Sequence, residues 1–234
     1  MRIHRFYIST PITDKKFDIS DRELVHQWRS VFRYNVGSQV ILFDGSGVDY
    51  VCMITSIRNL GASVEVFSEK NTELAPRRNI YLCMALVKKD NFELIAQKAT
   101  ELGVNHIIPI LCEHSEKRKL NMERLKKITI EASEQSGRGD VPTIYEIMKI
   151  EEIFQKGILP QEKIALHPEG EGIHKYLSGL NSVNSFAVFI GPEGGFSPKE
   201  IELFKSYNIS VISLGSQILR AETAAIATAS ILLI

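Results

Sequence analysis

The chain has 234 residues, of which 44% are hydrophobic, so it is long enough to bury one large core or two modest ones. Its 28 basic and 28 acidic residues balance, which excludes a whole-molecule field that attracts nucleic acid, and any RNA contact must be a local patch. No apolar run approaches the ~20 residues of a membrane span, and the N-terminus lacks the apolar segment of a signal peptide. We therefore expect a cytoplasmic protein with no membrane partner.

Strand-like patterns fill the first 70 residues. The stretch FRYNVGSQVILFDGSGVDYVCMITSI alternates apolar and polar positions and breaks at Gly37, Gly45 and Gly47, and SVEVF follows Gly61. Short strands at this spacing predict a small β-barrel over residues 1–70. Residues 71–79 have no periodicity and include Pro76, so we predict a linker there.

Strands and helices alternate from residue 80 onward. IYLCMALV (80–87) reads as a strand, and Asp90 and Glu93 have capping-box spacing at the start of a helix that ends at Gly103. VNHIIPILC (104–112) predicts the next strand, and a helix over 121–136 is closed by Gly137. A weaker helix over 150–155 and the strand KIALH (163–167) follow.

The last fifty residues continue the alternation. SFAVFI (185–190) is a strand, after which Ser197 is a predicted N-cap, Pro198 the first helical residue and Glu200 the end of a capping box. ISVISLG (209–215) is the last strand and AETAAIATASILL (221–233) the last helix. Alternation over residues 80–234 predicts an α/β domain with a mostly parallel sheet and helices on both faces.

Three strand-to-helix loops are candidates for a binding site: LHPEG (166–170), GPEGG (191–195) and LGSQILRAETAA (214–225). The GPEGG loop lacks the lysine and hydroxyl of a phosphate loop and the spacing of a dinucleotide fingerprint. Its Glu193 repels phosphate but suits a cationic ligand, and Gly194 and Gly195 allow close approach to backbone. Loops at the carboxyl ends of parallel strands share one crevice, so the three are expected to line one pocket. A tight capped turn at GPEGG, and an ordinary ion pair between Arg220 and Glu222, are the structural alternatives.

Cysteine and histidine spacing gives no sign of a metal site. Cys52, Cys83 and Cys112 lie far apart, each in an apolar run, and we expect buried, reduced thiols and no bound metal. Four histidines have no partner at ligand spacing and are interpreted as surface or core residues: His26, His106, His114 and His174.

These motifs occur together in a known family. ATELGVNHIIPILCEHSE, EASEQSGRGDVP, LHPEG, IGPEGGFSPKEIELF and LGSQILRAETAAIATASILL, in this order, resemble the uridine-N3 methyltransferases of small-subunit ribosomal RNA, family E, a branch of the SPOUT superfamily. The resemblance spans nearly the whole chain, and HRFYI and VFRYNVGSQVILFDGSG are similar to the family's PUA-like, RNA-binding barrel.

The resemblance implies S-adenosylmethionine as methyl donor, a C-terminal trefoil knot and a homodimer. It implies a substrate that is small-subunit ribosomal RNA or the assembled small subunit. Arg220 and Glu222, at the helix entrance of the third loop, are the candidate catalytic residues. The implied cofactor-binding residues are Leu166, His167, Gly191, Glu193, Gly194, Gly195, Leu214, Gly215, Ile218, Leu219, Arg220, Thr223 and Ala224.

Candidate RNA-binding residues come from two sources. The basic run EKRKLNMERLKK (116–127) contains Lys117, Arg118 and Lys119, which can bind phosphates without reading sequence but can equally form a solvated helix face. Arg5, Arg33 and Arg138 are added by the resemblance.

The chemistry of methylation at uridine N3 suggests a role for Arg220 and leaves two roles open for Glu222. Uridine N3 carries a proton at neutral pH, so Arg220 is expected to stabilise the charge that forms on the uracil oxygens, while Glu222 either orients Arg220 or accepts the proton. Two other functions are compatible with the sequence: a ribose 2′-O-methyltransferase of the same superfamily, and a non-catalytic RNA-binding protein of ribosome assembly.

Overall fold

The computed structural model describes residues 3–72, 78–116, 118–179 and 183–234. The chain divides into two compact units, Met1–Ala75 with Ser133–Asp140, and Pro76–Ala132 with Val141–Ile234. The sequence did not predict that residues 133–140 belong with the N-terminal unit. Most of the predicted linker, residues 73–77, lies outside the described residues.

The first unit is built on a five-stranded mixed sheet and one helix. Its elements are β1 (Arg5–Tyr7), β2 (Lys16–Ile19), α1 (Arg22–Ser30), β3 (Gln39–Phe43), β4 (Val48–Arg58) and β5 (Gly61–Asn71). The strand order is β1-β3-β4-β5-β2, with β1 parallel to β3 and the other pairs antiparallel. No pairing among the described residues joins β1 to β2, so the sheet is open where the sequence predicted a closed barrel. The two edge strands have three and four residues and offer few bonds for closure.

Helix α1 was missed at the sequence level. Asp21 caps it by accepting hydrogen bonds from the backbone N–H groups of Glu23 and Leu24. The helix buries Leu24, Val25 and Trp28, and the indole packs edge-on against the ring of Phe6 in the core of this unit. The helix has only nine residues and lies between strand-like runs, so its helical periodicity is too brief to be recognised in the sequence.

From residue 79 the chain forms strands and helices in alternation. The elements are β6 (Asn79–Ala85), α2 (Lys89–Leu102), β7 (His106–Leu111), α3 (Met122–Ser136), β8 (Thr143–Ile144), β9 (Met148–Lys149), α4 (Ile150–Lys156), β10 (Glu162–Gly172), α5 (Ile173–Leu177), β11 (Ser185–Ile190), α6 (Pro198–Ser206), β12 (Ser210–Ser213) and α7 (Ala221–Leu233). The strand order is β12-β10-β11-β6-β7-β8, and β9 pairs with β7 further along. Every one of these pairings is parallel, which confirms the predicted α/β fold.

Strand β6 shows how this sheet separates two cores. Leu82 and Met84 enter a core that includes buried residues of α2 and α7. Cys83 and Ala85, which point to the opposite face, enter a core that includes residues of α4 and α6. Helices therefore cover both faces of the sheet, as predicted. Burial raises the pKa of the Cys83 thiol, in keeping with the expected reduced core cysteine.

The two predicted capping boxes had different outcomes. Ser197 caps α6 with its hydroxyl, and a carboxylate oxygen of Glu200 accepts a hydrogen bond from the Ser197 N–H at 2.7 Å, as predicted. The box at Asp90 and Glu93 is wrong, because α2 begins two residues earlier than its spacing requires and its N-cap is Lys88. No helix among the described residues is long and apolar enough to cross a membrane.

Candidate active site

One cavity of about 480 Å³ lies at the carboxyl ends of β10, β11 and β12, the edge at which parallel α/β sheets bind ligands. All three candidate loops line it. The predicted residues that border it are Leu166, His167, Gly191, Glu193, Gly194, Gly195, Leu214, Gly215, Ile218, Leu219, Arg220 and Ala224. Of the predicted cofactor residues, Thr223 does not line it.

The first loop is a bulge within β10. Leu166 and Glu171 both pair with Ile212 of β12, so residues 167–170 protrude between them. The N–H of Glu169 donates to Nδ1 of His167 at 3.2 Å, which fixes the start of the bulge. Gly170 passes so near β12 that a Cβ atom there would lie 2.5 Å from the carbonyl carbon of Ile212. This contact explains the glycine in LHPEG.

The second loop, GPEGG, is a tight turn. The N–H of Gly195 donates to the carbonyl of Pro192 at 2.8 Å, and Gly195 has a φ of 71°. A Cβ atom on Gly194 would lie 3.1 Å from Cβ of His114, which packs against the outside of the turn. No sequence pattern indicates a role for this histidine, because the contact joins residues 80 positions apart.

The third loop joins β12 to α7. The hydroxyl of Ser213 donates to the carbonyl of Gly215 at 3.0 Å and accepts from its N–H at 3.3 Å, which holds the loop at its first turn. Ile218 is 87% exposed beside the cavity. Arg220 is the N-cap residue of α7, so the start of this helix places its side chain at the cavity.

The two predicted catalytic residues have different positions. Arg220 lines the cavity and is exposed. Glu222, in the first turn of α7, is half-buried and does not line the cavity. Its Oε2 atom is buried without a hydrogen-bond partner, and no ion pair joins Glu222 to Arg220 in the described part of the chain. Burial of a carboxylate oxygen without a partner is costly, so this atom has unused capacity to accept a hydrogen bond.

The lining fits a ligand with an apolar body and a cationic centre. Apolar side chains form much of the wall: Leu166, Ile190, Ile212, Leu214, Leu219 and Ala224. Glu193 and Arg220 are the formally charged groups among the described lining residues. The volume is within the ~300–1,000 Å³ typical of small-molecule sites. S-adenosylmethionine, with its flat base, sulfonium and amino-acid group, matches this combination of apolar wall, carboxylate and bare glycine backbone.

Several lining residues were not predicted. They are Pro168, Ile190, Pro192, Phe196, Ile212, Ser213, Gln217 and Ala221. Ile190 ends a buried strand and Ile212 lies near the end of another, so the edge rule for parallel sheets is a signal that could have found both.

Two candidate RNA-binding arginines have internal partners in the first unit. The Arg5 guanidinium binds both oxygens of the Asp49 carboxylate, at 3.0 and 2.5 Å, and donates to the backbone carbonyls of Ser133 and Arg138. Arg138 is 4% exposed and forms a bidentate pair with Asp140 at 2.7 and 2.9 Å. In the free protein these arginines hold residues 133–140 in the first unit, and an RNA-binding role for them stays a prediction.

The other candidates divide between the two units. Arg33 is exposed in the first unit, and Arg118 and Lys119 are exposed in the second, whereas Lys117 lies outside the described residues. Among the described residues, no group of three or more His, Cys, Asp or Glu side chains is arranged to hold a metal ion.

Comparison with known proteins shows the class of protein to which the chain belongs. A family model described as an RNA methyltransferase domain matches residues 74–233. A ribosomal RNA small subunit methyltransferase E from Rickettsia conorii is 34% identical over 97% of this chain and 93% of its own length. The enzyme of the same name from Bacillus subtilis is 31% identical over 89% of this chain and 86% of its own. The chain belongs to the ribosomal RNA small subunit methyltransferase E family.

Solved structures agree over nearly the whole chain. A ribosomal RNA small subunit methyltransferase E from Neisseria gonorrhoeae, bound to S-adenosylmethionine, superposes with a TM-score of 0.88 at 26% identity, covering 98% of this chain and 96% of its own. A Legionella pneumophila protein described as a methyltransferase, also with S-adenosylmethionine bound, has a TM-score of 0.89 at 28% identity, covering 99% of this chain and 97% of its own. The similarity therefore includes both units.

Proposed function

We propose that this protein transfers a methyl group from S-adenosylmethionine to N3 of a specific uridine in small-subunit ribosomal RNA. The proposal depends on one observation: in a chain of this family, the three loops line a single cavity, to which they contribute Glu193 and Arg220. Relatives of similar sequence are named ribosomal RNA small subunit methyltransferase E, and two structural neighbours hold S-adenosylmethionine. Ribosomal RNA as substrate supports the expected cytoplasmic location.

The cavity residues have distinct tasks in the proposed reaction. The bound cofactor supplies an electrophilic methyl group on a sulfonium. Glu193 lies at the cavity with a charge that favours this cation, and Leu166, Ile190 and Leu219 supply an apolar wall. These cavity residues contribute mainly by positioning the methyl group in line with its acceptor, whereas removal of the uridine N3 proton requires other groups.

Arg220 acts on the uracil, and Glu222 either assists it there or orients its side chain. A uridine attacked at N3 must be unpaired or flipped out, since N3 is on its pairing edge. The Arg220 fork donates to the uracil oxygens as negative charge develops there. Glu222 is a candidate for accepting the N3 proton or for orienting Arg220, and its buried, unpartnered Oε2 atom supports a contact that forms once the substrate is bound.

Three further features belong to the proposal. The first unit serves as a PUA-like RNA-binding module, with exposed Arg33 as a phosphate contact, while Arg118 and Lys119 bind phosphates from the second unit. A trefoil knot at the C-terminus is supported by the membership of the chain in this family. A homodimer is supported by α7, a mostly apolar helix on which Ile226 lies outside the side buried in its own chain and is therefore expected to be covered.

Product analysis tests the proposal. The protein is incubated with methyl-labelled S-adenosylmethionine and with small-subunit RNA, or small subunits, that lack the modification. Digestion to nucleosides is expected to release labelled 3-methyluridine. A 2′-O-methylated nucleoside would instead identify the protein as a ribose methyltransferase. If the protein bound RNA but neither bound the cofactor nor transferred label, it would be identified as a non-catalytic assembly factor.

A further inference from the structure

His114, in the loop between β7 and α3, contacts the GPEGG turn from outside the cavity. Its Nδ1 atom lies 3.1 Å from the carbonyl oxygen of Gly194 and 3.1 Å from that of Gly195. Both glycines line the cavity and His114 does not. A Cβ atom at position 194 would crowd this approach, because it would lie 3.1 Å from Cβ of His114.

The contact fixes which ring nitrogen carries the proton. Carbonyl oxygens only accept hydrogen bonds, so an unprotonated Nδ1 would place its lone pair against two oxygens and repel both. The Nδ1 atom must therefore carry hydrogen and donate to the pair of carbonyls. One side chain thus holds two successive peptide groups of the turn in a single orientation.

A second link joins the loop that carries His114 to the helix that follows the turn. The N–H of Glu113 donates to Oε1 of Glu200 at 2.9 Å, while Oε2 of Glu200 accepts from the N–H of Ser197 at 2.7 Å. Glu200 therefore ties the loop that carries His114 to the start of α6, directly after the turn.

We propose that His114 is a positioning residue of the cofactor site, which orients the Gly194 and Gly195 peptide groups through an Nδ1–H donor. This inference rests on the proposed function, because it assigns the oriented backbone to S-adenosylmethionine. The consequence is a KM effect rather than a kcat effect. Turn geometry governs how the cofactor binds, whereas Arg220 governs the chemical step.

Two amide substitutions give a sharp test. The amide nitrogen of asparagine occupies nearly the place of Nδ1, whereas that of glutamine lies nearer the place of Nε2. His114→Ala and His114→Gln are expected to raise the Kd and KM for S-adenosylmethionine by about tenfold, the loss of roughly one net hydrogen bond, with kcat changed little. His114→Asn is expected to recover most of the affinity, and His26→Ala, an exposed histidine of the first unit, is the control.

The outcomes separate the alternatives. The proposal would be overturned if the alanine variant bound S-adenosylmethionine as tightly as the unchanged protein. It would also be overturned if the Asn and Gln variants had equal affinities for this cofactor. Nitrogen NMR of the imidazole gives a readout that needs no cofactor: protonated Nδ1 is expected, and a neutral ring protonated only at Nε2 would overturn it. If the unchanged protein bound no S-adenosylmethionine, the proposed function would fail and with it the cofactor role of His114, whereas the NMR result would still decide the contact with the turn.

Discussion

Arg220 is the residue on which the proposed chemistry depends most, and one substitution separates its two predicted roles. Arg220→Ala is expected to lower kcat by about 10²–10³, the usual loss for one donor to a developing oxyanion, with little change in cofactor affinity. Arg220→Lys keeps the charge but loses the planar fork, so an intermediate rate is expected. Single-turnover methyl transfer and calorimetric titration with S-adenosylmethionine measure the two effects. A full rate with normal cofactor binding would remove Arg220 from the mechanism.

Asp49 stabilises the first unit by balancing the buried charge of Arg5. The two side chains are 19% and 11% exposed, so Asp49→Asn leaves a cation with reduced compensation and is expected to lower the free energy of unfolding by about 3 kcal/mol. Urea unfolding followed by the fluorescence of Trp28, the single tryptophan, reports on this unit. Glu65→Gln is the matched control, because its partner Lys16 is exposed and the loss should stay below about 1 kcal/mol. Equal losses in the two variants would contradict a special role for the Arg5 pair.

Local chemistry explains which elements the sequence could predict. Ser197, Pro198 and Glu200 are within one turn of each other, and their box formed as expected. Asp90 and Glu93 have similar spacing, yet Glu93 instead lies within 3.6 Å of Lys89 and 3.5 Å of Arg124. The second partner is distant in sequence, and no local pattern contains it.

The bulge in β10 is the element whose geometry shapes the cavity most directly. Gly170→Ala would force a methyl group into the backbone of Ile212, which itself lines the cavity. We expect a loss of about 2 kcal/mol of stability and weaker binding of S-adenosylmethionine, since overpacking moves backbone. Gly172→Ala is the control, because its Cβ would meet open space and its φ of −62° suits any residue. Thermal unfolding by circular dichroism and cofactor titration measure the two effects, and indistinguishable variants would show that the bulge tolerates the shift.

At the scale of the whole molecule, the sequence predicted those features that depend on the order of strands and helices along the chain. Alternating strands and helices indicated the parallel sheet, and the edge rule brought Leu166, Gly194 and Leu219 to one cavity. Residues 133–140 could not be assigned to the first unit, because their contacts with Arg5 span 128 and 133 positions. The same separation concealed the contact of His114 with the turn. Contacts that depend on how distant segments meet leave no period or spacing in the sequence.

Assembly is the remaining property of the whole molecule, and α7 provides its test. One side of α7 is buried within its own chain through Ala225, Ala229 and Leu232, while Ile226 is half-buried and not part of that core. A second copy of the chain that covers this apolar side would make a homodimer, and a charge there would be buried without a partner. Ile226→Glu is therefore expected to convert a dimer into a monomer in light scattering after size exclusion, with unchanged far-ultraviolet circular dichroism. Val31→Glu, at a 68% exposed position of the first unit, should leave the mass unchanged. A dimer that survives Ile226→Glu would place the interface elsewhere.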